Sequence, residues 1–184
     1  MKRNILIGAG ILVLIFIIWV VYGLFFTTPL SPPATASFNQ DGLAIEIAYS
    51  QPSKKGRLIF GEADSGALQP YGQYWRLGAN APTEISFNRD VIFGGKPVNA
   101  GTYRMYAVPG ANAFEIILNS DTGAFFGASE PDAAMDVLSI NTPVQTTDAT
   151  VETFTITIRS ADTGAVIAFS WDDVLLTVPV TLPV

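Results

Sequence analysis

The 184-residue sequence contains neither cysteine nor histidine. That removes disulfides, thiolate and imidazole metal ligands, covalent haem attachment and every nucleophilic triad or dyad built on either side chain. It does not fix a compartment, because a domain with an adequate core needs no disulfide even where oxidation is possible. Charge is scarce as well: 14% of residues are charged and 49% hydrophobic, with a mean hydropathy of +0.36, the reverse of a disordered composition. Basic side chains are the scarcest, 10 against 16 acidic, and after Arg104 the sequence has Arg159 alone. With Lys2 and Arg3 set aside, eight basic residues face 16 acidic ones, a net charge of −8 that makes nucleic acid and anionic lipid poor partners. Beyond the first 26 residues no amphipathic helical stretch of useful length occurs. The length suits one domain with an appendage.

The one long hydrophobic run is at the start. Residues 5–26 carry no charge, and at about 1.5 Å per residue a helix over them spans roughly 33 Å, the thickness of a bilayer core. Lys2 and Arg3 precede the run and the next basic residue is Lys54, so the positive-inside rule puts residues 1–4 in the cytoplasm and the rest outside. Trp19 and Tyr22 then fall near the outer interface, which amphipathic rings favour. Cleavage of a signal peptide after Ala34-Thr35-Ala36 is the rival; the run exceeds a signal h-region and is separated from that site by Pro29-Leu30-Ser31-Pro32-Pro33. The expectation is an uncleaved transmembrane helix over 5–26, a Pro-rich linker over 27–37 and an extracytoplasmic domain over 38–184, held in the cytoplasmic membrane.

Within that domain apolar residues recur with period two, the mark of half-buried strands. Leu43, Ile45, Ile47 and Tyr49 alternate with Ala44, Glu46 and Ala48; Tyr103, Met105 and Ala107 alternate with Arg104 and Tyr106; Phe154, Ile156 and Ile158 alternate with threonines. Ile85 with Phe87, residues 91–93, 114–118, 165–171 and 174–180 extend the series, the last two separated by Asp172-Asp173. Gly94-Gly95, Pro109-Gly110 and two Asp-Thr-Gly segments mark turns. Many short strands predict an all-β domain, an antiparallel β-sandwich or flattened barrel.

Few constellations carry chemistry. Asp121-Thr122-Gly123-Ala124 and Asp162-Thr163-Gly164-Ala165 repeat the D-T-G-A signature of aspartic proteases, but 41 residues of separation leave no room for an intervening lobe, and Asp and Gly are what hairpin turns need. Glu130, Asp132 and Asp136, or Asp172 with Asp173, offer oxygen to calcium without an EF-hand spacing. Ser53-Lys54 has the composition of a Ser-Lys hydrolase and no oxyanion signature. The richest stretch is 49–80, a long structured loop system. There Arg57 and Arg76 offer planar forks, Asn80 an amide, and Tyr71, Tyr74 and Trp75 flat faces, a set suited to a small anion, a glycan or a partner protein; the internal reading has the arginines tethering loops through Glu46, Glu84 or backbone carbonyls, with Trp75 plugging one end of the sandwich.

Tyr49-Ser50-Gln51-Pro52, Lys55-Gly56-Arg57-Leu58-Ile59-Phe60-Gly61, Pro70-Tyr71-Gly72-Gln73-Tyr74-Trp75-Arg76-Leu77-Gly78-Ala79-Asn80, Thr83-Glu84-Ile85 and Gly101-Thr102-Tyr103 form an ordered set that resembles the bacterial domain-of-unknown-function family 2911. The resemblance covers about residues 36–184 and implies an exported β-rich domain, with no activity, cofactor or catalytic residue to carry over. Residues 62–69 look longer than the family's usual link, and the anchor is unlike members that carry cleavable export signals. The expectation is a non-catalytic, single-pass accessory subunit without cofactor or metal, whose partners are the bilayer and other membrane subunits, as in a respiratory or photosynthetic complex. The alternatives are a periplasmic small-anion or glycan module using Arg57, Trp75, Arg76 and Asn80, and a carboxylate-dependent hydrolase.

Overall fold

A computed structural model of the protein describes residues 2–25, 30–124 and 130–183, the side chains of 2–7, 9, 24 and 25 excepted. It divides into two units, residues 1–30 and 31–184. The first is the helix α1 (Lys2–Phe25), which has no acidic residue in its first turn and no basic residue in its last. Its described side chains are largely exposed, Trp19 and Tyr22 at 69% and 58%. Among the described residues no helix is long and apolar enough to cross a membrane. The side chains of Lys2 and Arg3, expected at the inner interface, lie outside the described residues.

The second unit is built of strands: β1 (Pro33–Gln40), β2 (Leu43–Ser50), the short β3 (Phe60–Gly61) and β4 (Gln69–Pro70), β5 (Thr83–Phe87), β6 (Val91–Phe93), β7 (Lys96–Val98), β8 (Gly101–Val108), β9 (Ala113–Asn119), β10 (Asp136–Pro143), β11 (Gln145–Ala161) and β12 (Gly164–Thr181). A six-stranded antiparallel sheet has the order β1-β2-β5-β8-β9-β10, a four-stranded one β11-β12-β6-β7, and β3 and β4 pair in parallel. Both large sheets are open, with β1 and β10 at the edges of one and β11 and β7 at those of the other. The flattened barrel is thereby corrected: among the described residues no closed barrel forms.

Period two fixes which side chains go inward. Leu43, Ile45 and Ile47 on β2, Ile85 and Phe87 on β5, and Met105 and Ala107 on β8 are buried at 3% exposure or less, and they share one hydrophobic core with Phe154 and Ile156 of β11 and Ile167, Phe169 and Trp171 of β12. The two sheets also touch through polar atoms: the Tyr49 hydroxyl accepts from Ile156 N–H at 3.1 Å, and its ring meets Phe154 edge-on at 5.7 Å.

Two expectations change in detail. The segment expected as linker up to residue 37 is already strand: β1 starts at Pro33 and pairs Ala34 with Tyr49 and Ala36 with Ile47. The candidate cleavage site therefore lies inside a paired strand, and Ala36 is buried. Asp172-Asp173, read as a separator, lies within β12. There Asp172 adopts a positive φ of 57°, and the pairing with β11 shifts register around Val151, so a bulge bends one strand instead of ending it.

Candidate functional site

The segment after β4 decides the site. Trp75 exchanges both backbone hydrogen bonds with Ala107 at 2.8 Å, and Gly72 N–H donates to Pro109 C=O at 2.8 Å, so this stretch runs antiparallel beside the end of β8 where β5 has stopped. A residue directly opposite another in such a pair points to the same face. Ala107 faces the core, and Trp75 follows it inward, 2% exposed, against Phe60, Phe154 and Trp171 at centroid distances of 5.4, 5.1 and 5.8 Å. Its neighbours Tyr74 and Arg76 project the other way. There they line a groove of about 620 Å3 with Gln73, Tyr106, Val108 and Glu130.

Beneath the groove, β8 and its partners carry a polar row across the outer face of the sheet. Glu84 lies opposite Arg104, Arg104 opposite Asn119, and Asn119 opposite Asp136. Arg104 is 2% exposed; it donates to the Tyr74 hydroxyl at 2.6 Å, lies 5.8 Å from the centre of that ring, and stands 3.9 Å from Asp121. Tyr106 donates to both oxygens of Asp136 at 3.0 Å. Asn119, fully buried, donates to Asp136 at 2.8 Å and Asp132 C=O at 2.9 Å and accepts from Asp121 N–H at 2.7 Å. Burial foremost, and then the hydrogen bond and charge of Asp136, pushes the Tyr106 phenol well above the usual tyrosine range.

Of the five residues expected to act together, Arg76 and Asn80 are joined by a hydrogen bond. Arg76 donates to Asn80 C=O at 3.2 Å, and Asn80 donates its amide to Ser31 C=O at 3.1 Å. Arg57 is exposed and folds back on its own loop, donating to Lys54 C=O at 2.9 Å and Ser53 C=O at 2.5 Å. Tyr71 packs part-buried against the core, and Trp75 lies within it, so its ring offers no platform to a ligand. Sequence reasoning missed Arg104, Tyr106 and Asn119. The signal was there in the opposite phase of β8 and β9, where polar and aromatic residues alternate with the apolar set.

The other candidates disperse. Asp121 belongs to the loop after β9 and Asp162 to the turn between β11 and β12, in different sheets. Lys54 pairs with Asp172, while Asp173 beside it is exposed. Asp132 caps a single 3-10 turn (Ala133–Met135) through Ala134 N–H at 2.9 Å. Among the described residues no group of three or more acidic side chains converges as a metal site would require.

Residues 31–180 match the family profile described as "Protein of unknown function (DUF2911)". This chain belongs to that family. The match takes in β1 to β11 and all of β12 but its last residue, the Tyr74–Arg76 segment and the polar row included. No curated protein and no solved structure matches the chain. The DUF2911 domain here therefore stands on its own geometry.

Proposed function

We propose that this DUF2911 protein is a non-catalytic interaction module held at a bacterial inner membrane by its N-terminal helix. Its two sheets form a β-sandwich on the periplasmic side, and the sandwich packs against a larger membrane assembly. The uncharged run of 5–26 behind Lys2 and Arg3 carries this reading: an assembly subunit that needs no catalytic group still needs a fixed address. The contact surface in this reading is the loop system that carries β3 and β4. Leu68 N–H donates to Leu58 C=O at 3.0 Å, so the backbone of both residues is held in one ordered segment, with Leu58 48% and Leu68 38% exposed. Exposed leucines on an ordered loop are the kind of anchor that protein interfaces bury.

The test is native electrophoresis of the tagged full chain after mild detergent solubilisation of its own membranes. The expected result is co-migration with a defined larger complex. A double substitution Leu58→Asp with Leu68→Asp should release the chain from it without lowering its melting temperature, because neither side chain belongs to the core. A chain that migrates as a monomer under every mild condition sinks the reading.

A further inference from the structure

We infer that the groove between the 72–76 segment and β8 is a binding site for a neutral saccharide, a site independent of the tether proposed above. Three observations carry it. The hydroxyls of Tyr74 and Tyr106 both turn inward, one accepting from Arg104 and the other donating to Asp136. Ring carbon is therefore what these tyrosines give the groove: the half-buried Tyr74 ring is its wall, and the buried Tyr106 ring backs it, 5.4 Å away and tilted by 51°. Carbohydrates pack their C–H faces on such walls. The remaining polar lining consists of planar side chains, the Arg76 guanidinium, the Gln73 amide and the Glu130 carboxylate. Flat donors and acceptors of this kind engage adjacent hydroxyls in pairs, and in this groove polar surface outweighs carbon, as a hydroxyl-rich ligand requires. Arg76 is oriented for the task by its bond to Asn80 C=O at 3.2 Å.

The charge balance and the backbone narrow the ligand. The groove offers one cation and one carboxylate, so it does not select for net charge, and a domain of net charge −8 repels polyanions. An extended peptide would seek an open strand edge. Beside β8 that edge is already taken by the pairing of Trp75 with Ala107.

The experiment is calorimetric titration of the full chain, held in a detergent without a sugar headgroup, with cellohexaose, chitohexaose and maltohexaose, and with oligogalacturonate as the charged control. Binding of at least one neutral oligosaccharide is expected, weakened about tenfold or more by Arg76→Lys, which keeps the charge and loses the fork. Exposed Gln73→Ala should weaken it as well at an unchanged melting temperature, and Arg57→Ala should leave it alone. The inference is overturned if no neutral oligosaccharide binds, if binding ignores both groove substitutions, or if oligogalacturonate binds at least as tightly as the neutral sugars.

Discussion

Arg104 and Arg57 carry the same side chain into opposite surroundings. Arg57 satisfies itself on the carbonyls of its own exposed loop, whereas Arg104 is enclosed between Tyr74 and the outer face of the sheet. Exposed arginines of the first kind contribute little to stability, while removal of a buried one that serves a neighbour is costly. Tyr106 extends the buried group and gives it a pH dependence. The unfolded chain loses the phenolic proton around the ordinary value of 10.0, and the folded chain holds it to higher pH. The folded state is then the more protonated one, so this stabilisation is whole below about pH 10 and is lost as pH rises beyond it. In chemical denaturation the unfolding free energy of the wild type should fall more steeply above pH 10 than that of Tyr106→Phe, which should itself cost about 1 kcal/mol at neutral pH. Tyr103, also raised, by burial and then by Asp90, contributes equally to both proteins. Parallel curves for the two would contradict the assignment.

Strands were legible where large apolar residues alternate, as in β2, β5, β8 and β9. β1 escaped because its inward positions are Ala36 and Phe38 among small polar neighbours, and β10 because its acidic start hides Leu138 and Ile140. Residues 74–76 escaped for a different reason. Their alternation is three residues long and makes sense only beside Ala107, a partner about 30 positions away that no local pattern announces. The same distant partner carries Trp75 into the core, as the reading in which it plugs one end of the sandwich expects. The turn joining β11 and β12 was legible in its Asp-Thr-Gly, and its geometry sharpens the reason for the glycine. Gly164 has φ of 139°, and a Cβ there would run into Val180 C=O, which is backbone and cannot yield cheaply. Gly164→Ala should cost about 2 kcal/mol or more and lower the melting temperature by about 4 °C or more; an unchanged melting curve would show that the hairpin end can shift.

At the scale of the whole molecule, the chain divides its composition between two tasks. The hydrophobic excess that lifts its mean hydropathy is concentrated in 5–26, and the acidic excess lies in the strand unit. The strand unit has its own shared core and begins at Ser31, two residues before β1. Cleavage after Ala36 would cut β1 in half and release the Ala34–Tyr49 and Ala36–Ile47 pairings. Retention of the N-terminal segment is therefore the point on which the membrane role turns. The most direct measurement is alkaline carbonate extraction of native membranes followed by intact-mass analysis of the protein. The account expects the chain in the carbonate-resistant pellet with residues 1–36 still attached. A carbonate-soluble or periplasmic protein whose mass begins at Ser37 would contradict it.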